Sequence, residues 1–248
     1  MIIIKSPDEI ELMRESGKVT KFVLEELENF IKPGQTTQDI NKFVEDIIVK
    51  HGMYPTFKGY GGFPAAACVS VNEEVVHGIP DKKRIIHEGD IVSVDVGSTY
   101  KGYVSDAART YGVGEISPDA KKLIEVTRES FFKGLEFCKV GYRLSDIGNA
   151  IQTHVEAHGF SVIRDFVGHG VGQNLHEDPQ IPNYGKPGRG PRLAPGMVFA
   201  IEPMICQGAF AVKTLENDWT VVTKDGKLSA HYENTVVITD GEPQLLTL

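Results

Sequence analysis

Residues that can pack inward recur at spacings of three and four from Ile10 through Met13, Gly17, Thr20, Leu24, Leu27 and Ile31. That is one face of a long helix. Ser6-Pro7-Asp8-Glu9 supplies its start, a capping box with proline at the first helical position, and Pro33-Gly34 ends it. Thr37 to His51 reads as a second helix closed by Gly52, followed by a glycine- and aromatic-rich loop from Tyr54 to Phe63. The period then shortens to two. Ala65–Val71, Ile91–Gly97 and Tyr103–Tyr111 read as strands. Ser117-Pro118 opens a helix running to about Lys139, and Ser145–His158 reads as another, ended by Gly159. Strand and loop follow, with strands at Met197–Ile201, Ala211–Glu216, Thr220–Thr223 and Glu233–Ile238. Two helices then strands, followed by two helices then strands, implies two similar α/β halves. Without a linker, low-complexity tract or tandem repeat, residues 1–248 are expected to form one domain.

Composition narrows the function. The 248 residues carry a net charge of -8, which argues against a phosphate backbone as the main partner, because that task needs a basic face. Cys68, Cys138 and Cys206 are odd in number and widely spaced, as suits a reducing compartment. The first ten residues hold too short an apolar run for a signal peptide, and no segment approaches the roughly 20 apolar residues of a membrane span. A cytoplasmic protein with no membrane association is expected.

The acids are placed unusually. Val92, Val94 and Val96 share one face of their strand, so Asp95 points to the other. A turn centred on Tyr100-Lys101 would set Asp95 opposite Asp106, with Cβ atoms about 5 Å apart. Two like charges so close need a shared proton or a shared cation. The alternative is a solvated Asp106 beside a capping Asp95, reached by a slip in the turn. Glu202 follows the apolar strand Met197–Ile201 and shares a face with Val198 and Ala200; Glu233 precedes Thr235 and Val237 on another buried-looking strand. Each needs a partner, since burying a lone carboxylate costs several kcal/mol. Salt bridges would serve, but the basic residues nearby in sequence are few: Lys213, Lys224 and Lys227. His169 lies between glycines in Gly168-His169-Gly170-Val171-Gly172, and His176-Glu177 follows. Glycines there let the backbone approach something closely. Four carboxylates and one or two imidazoles, without thiolate, suit two divalent ions of manganese, cobalt, iron or zinc. His154 and His158, at i and i+4 near a helix end, also have a zinc-binding spacing, but the helix C-terminus alone accounts for them. A G-x-S-x-G elbow, a P-loop and H-E-x-x-H are all absent.

Asp95, Asp106, His169, Glu202 and Glu233 match, in order and approximate spacing, the five metal ligands of the methionine aminopeptidase family. Val75-Val76-His77-Gly78-Ile79-Pro80, Gly168-His169-Gly170-Val171-Gly172 with His176-Glu177, and Ile201-Glu202-Pro203 also resemble its signatures, and the resemblance spans essentially the whole chain. It is similar to the short bacterial type I members of peptidase family M24, with the core starting almost at residue 1. The resemblance implies an α+β pita-bread (creatinase/aminopeptidase) fold, two pseudo-symmetric halves around a central antiparallel sheet with the site between them. It implies removal of the initiator methionine from new polypeptides, a metal-bridged water or hydroxide attacking the first peptide bond. By that pattern Asp95 chelates one metal, His169 binds the other with Glu202, and Asp106 and Glu233 bridge both. Glu202 shuttles the proton, His77 contacts the scissile amide, and His176 hydrogen-bonds the carbonyl oxygen. Tyr60, Phe63, Cys68, Leu175 and Trp219 line the methionine pocket, with Leu175 standing where many bacterial members carry an aromatic residue. Nascent polypeptides, a transient ribosome contact and a monomeric state are the implied associations. Proline-directed relatives share the five ligands but carry a large N-terminal domain, for which this chain has no room.

Overall fold

The computed structural model describes residues 1–248. Its four long helices are α1 (Pro7–Phe30), α2 (Thr37–Lys50), α3 (Pro118–Leu135) and α4 (Leu144–Ala157). The box at the start of α1 is formed: Ser6 Oγ accepts from the Glu9 amide at 3.3 Å, and the Glu9 carboxylate accepts from the Ser6 amide at 2.8 Å. Thr36 and Asp39 make the same reciprocal pair at the start of α2. α3 stops four residues before the expected Lys139. Phe137 and Cys138 continue the apolar pattern, but their amides bond three residues back, to Gly134 and Leu135 at 3.0 Å each, in a tightened last turn.

Every paired strand is antiparallel. In the N-terminal half a long hairpin, Ile91–Tyr100 and Tyr103–Gly112, pairs with Ala67–Val71 and the short Tyr54–Pro55. α1 and α2 cover it, sealing Val23, Leu24, Leu27, Ile40 and Val44 against Val92, Val94 and Val96. Each such fully buried side chain contributes about 1.5–3 kcal/mol. In the C-terminal half five strands run in the order Gln244–Leu245, Asn234–Val237, Val198–Ile201, Gly168–Gly170 and Glu177–Ile181. α3 and α4 cover that half, burying Leu123, Phe131, Ile147 and Ile151 with Phe199, Ile201 and Val236.

The halves meet along a polar seam. Within the N-terminal half, Ser16 and Thr20 of α1 hydrogen-bond Ser98 and Ser105 at 2.9 Å beneath the hairpin. On its other face the Asp106 amide donates to Thr235 Oγ1 at 2.9 Å, and that hydroxyl donates back to the Asp106 carbonyl at 2.8 Å. The Glu233 amide donates to the Ala108 carbonyl at 3.0 Å. These bonds hold the hairpin's acids against those of the second sheet.

The hairpin register differs from the sequence expectation. Tyr100 pairs with Tyr103, so the turn is centred on Lys101-Gly102, and both residues have positive φ, 47° and 84°. Glycine at the second position meets that demand without a Cβ penalty. Asp95 therefore pairs with Ala108, and Asp106 with Gly97. The two acids are diagonal rather than directly opposite, and since the offset is two residues they remain on one face.

Candidate metal-dependent active site

Glu202 and Glu233 come together through sheet register. Asn234 pairs with Ile201, and continuing that pairing one residue sets Glu233 opposite Glu202. His169 pairs with Ala200, placing its ring on the same face. Its flanking glycines answer to neighbouring strands, not to a ligand: a Cβ on Gly168 would lie 2.5 Å from the Ala200 carbonyl oxygen, and one on Gly170 2.2 Å from that of Asp178.

The result is a knot of acids and imidazoles. His169 Nε2 lies 3.6 Å from Asp106 Oδ2 and 3.5 Å from Glu202 Oε1. His231 Nε2 lies 3.5 Å from Glu202 Oε2 and 3.6 Å from Glu233 Oε2. Asp95, His231 and Glu233 each bring a ligand atom within 4.8 Å of the others, and so do Asp106, His169 and Glu233. The two triplets share Glu233. His169 Nδ1 donates to the Gly170 carbonyl at 2.9 Å, which leaves the Nε2 lone pair facing the acids.

Burial decides the charge state. Asp106 is 4% exposed and Glu233 1%. Desolvation and then the neighbouring carboxylates push Asp106 and Glu233 well above the ordinary range, and desolvation does the same to Glu202. Asp95 is raised to about 6, chiefly by burial. The imidazoles shift the other way: burial lowers His169 to about 3 and His231 to about 4. Neutral imidazoles cannot balance the acids. Lys213, Lys224 and Lys227 form no ion pair with Glu202 or Glu233. Arg109 donates to the Glu233 backbone carbonyl and to Asn234 Oδ1, not to a carboxylate. Asp95 Oδ1, Asp106 Oδ1, Glu233 Oε1 and His231 Nε2 are buried with no hydrogen-bond partner. Unpaired buried polar atoms are costly. A divalent cation relieves the desolvation and the repulsion together, and oxygen with imidazole is a donor set that suits one.

The knot floors a cleft with about 140 Å³ of free space. All twelve residues singled out in the sequence line it. One wall is apolar. Phe63 and Trp219 meet edge to face with centroids 5.1 Å apart, and Leu175 and Cys68 are buried beside them. Burial and the nearby acids hold the Cys68 thiol protonated. His77 sits at φ 59°, a backbone conformation rare outside glycine, and its half-buried ring is lowered to about 4 by desolvation. Tyr60 stands at the mouth, its hydroxyl 2.8 Å from His176 Nδ1. The His176 ring lies 4.3 Å from that of His169. Two contributors escaped the sequence reading. Phe57 adds to the apolar wall, and His231 joins the acids. His231 ends the strand Ser229–His231, two residues before Glu233.

An acid-rich donor set facing an open cleft defines a metallohydrolase. The metallopeptidase family M24 model matches residues 11–240. A methionine aminopeptidase of Clostridium acetobutylicum is 59% identical, the match covering 100% of this chain and 99% of that protein. The crystal structure of a methionine aminopeptidase from Thermotoga maritima superposes with TM-score 0.98 at 52% identity, covering 100% of this chain and 99% of that one. An X-Pro aminopeptidase from the same organism shares the fold at TM-score 0.77 and 22% identity, this chain spanning 63% of it. The chain belongs to metallopeptidase family M24, among the bacterial short-form methionine aminopeptidases. Its architecture is the pita-bread fold, and it is a divalent-metal-dependent hydrolase.

Proposed function

We infer that the chain removes N-terminal methionine from polypeptides by hydrolysing the first peptide bond, the activity its curated relatives are named for. The observation that carries this reading is the adjacency, in one cleft, of the acid knot to an apolar wall of aromatic rings and a thiol. A thioether favours such neighbours.

Asp95, Asp106, His169, Glu202 and Glu233 are assigned as the metal ligands. The two ligand triplets overlapping at Glu233 support two ions, with Glu233 shared. Manganese, cobalt, iron and zinc all fit this donor set. Divalent ions held there supply Lewis acidity and lower the pKa of a bound water. The residues of the chain do the rest. Glu202, opposite Glu233 and facing the cleft, accepts the proton of the attacking water and returns it to the departing amine. When Tyr60 donates to His176 Nδ1, the ring proton sits on Nε2, free to be offered to the carbonyl oxygen as charge grows there. His77, neutral at pH 7, is placed to contact the scissile amide. Phe63, Cys68, Leu175 and Trp219 hold the methionine side chain, and Tyr60 closes the entrance. Residues 1–248 act as one catalytic domain, with the site spanning both halves.

Nascent chains are the proposed substrates, met by a cytoplasmic monomer in transient contact with the ribosome. Three buried, unpaired cysteines suit that compartment. No helix is long and apolar enough to cross a membrane.

The reading is tested with peptides that differ only in the first residue. Met-Gly-Met-Met is expected to be cleaved at least about tenfold faster than Leu-Gly-Met-Met, the scale on which an apolar pocket discriminates near-isosteres. Equal rates would refute methionine selectivity.

A further inference from the structure

A second cluster of metal-ligating side chains lies away from the cleft, between α3 and α4. Glu129, His154 and His158 each bring one donor atom within 4.8 Å of the others. None of them lines the catalytic cleft. His154 and His158, one turn apart at the end of α4, have ring centroids 4.5 Å apart. Glu129 reaches across from α3, its Oε2 3.1 Å from His154 Nε2. His158 Nδ1 is committed to the His154 carbonyl at 2.8 Å, which leaves Nε2 as its only free donor.

We propose that Glu129, His154 and His158 form a surface site for one divalent transition-metal ion, separate from the ions of the cleft. Bonds of about 2.0–2.2 Å to a tetrahedral ion place neighbouring donors about 3.3 Å apart. The His154–Glu129 separation of 3.1 Å already has that size. His158 is exposed at the helix C-cap, and one of its ring nitrogens lies within 4.8 Å of both other donors. Two imidazoles and a carboxylate select zinc, copper, nickel or cobalt over magnesium or calcium, which prefer all-oxygen shells. The C-terminal end of the α4 dipole adds partial negative charge. Lys122, whose Nζ bonds the His158 carbonyl at 3.3 Å, is the one cation seen in contact there and engages backbone rather than a ligand atom. A fourth position stays open to water. An ion so held clips the end of α4 to the middle of α3.

The test is equilibrium dialysis of the full chain, stripped with chelator, against zinc alone. The wild type is expected to take up one equivalent more than His158→Ala and one more than Glu129→Gln. Asp106→Asn is expected to lose uptake in the cleft while keeping this equivalent. Turnover of both surface variants at saturating metal should equal that of the wild type. Glu129 and His158 are solvent-accessible, so both variants should fold, and circular dichroism checks this. Identical uptake by wild type, His158→Ala and Glu129→Gln would overturn the proposal, leaving a hydrogen-bonded surface pair. Equal displacement of that zinc by equimolar magnesium would also overturn it.

Discussion

At the residue scale the decisive fact is that four carboxylates, two of them fully buried and two largely so, lack a permanent counter-charge. Three are raised well above the ordinary range and Asp95 to about 6, so without metal the cluster keeps its protons to higher pH than free carboxylates do. His169, lowered to about 3, is already neutral at pH 7 and has none to give. Metal binding should therefore release protons, from carboxyl groups and from a bound water but not from His169, and apparent affinity should rise with pH. Calorimetric titration in two buffers of different ionisation enthalpy measures this; heats independent of buffer would contradict it. On the proposed assignment Glu202→Ala removes both a ligand and the proton acceptor. Turnover of Met-Gly-Met-Met should fall by about 10²–10⁴-fold, the range for general acid–base catalysis, with circular dichroism unchanged. Near-normal turnover would remove Glu202 from its role. His231 went unseen in the sequence because a lone histidine carries little signal; burial at 1% between two acids supplies it.

At the element scale close approaches between segments hold the site. Lys5 and Glu177 are nearly fully buried, with Nζ 2.6 Å from Oε2, and Glu177 Oε1 also accepts from the Asn174 amide at 3.1 Å. This pins the loop carrying Leu175 and His176 to the N-terminal segment. Lys5→Met leaves Glu177 buried without its cation and should cost about 3–5 kcal/mol. Adding Glu177→Gln should recover part of the loss. Urea midpoints read the stability, and kcat reads the displacement of His176. Gly17 is a second close approach: a Cβ there would lie 2.1 Å from the Leu246 carbonyl oxygen. Alanine is the better helix former, yet Gly17→Ala should destabilise by about 1–3 kcal/mol because overpacking outweighs propensity. A raised urea midpoint would contradict that.

Elements with many turns were legible in the sequence. The helical faces of α1 and α2 repeat often enough to define a period, and the capping box marks where α1 starts. Ser161–Val162 and Ser229–His231 are too short to show any period, so those strands were missed. The hairpin register turned on whether Lys101 tolerates positive φ, which alternation of apolar residues does not encode. Asp95 and Asp106 nonetheless stayed on one face, since moving a turn's centre by one position shifts the partner by two.

At the scale of the whole molecule, two separately cored halves place their acids along one seam: Asp95 and Asp106 from the first, His169, Glu202 and Glu233 from the second. Neither half holds all five of the proposed ligands. Pairing of the halves and assembly of the site are therefore one event, and a bound ion bridging them should stabilise the chain as a unit. The sequence showed the acids but not this division of labour, because contacts such as Asp106–Thr235 join residues far apart in the chain.

The central claim is metal-dependent release of N-terminal methionine. The most direct measurement strips the protein with chelator, restores manganese or cobalt, and follows Met-Gly-Met-Met beside Xaa-Pro peptides. No activity is expected after stripping, with recovery on adding metal, free methionine as the released residue and the Xaa-Pro peptides left intact. Cleavage confined to bonds before proline, or no cleavage with any divalent ion, would contradict it.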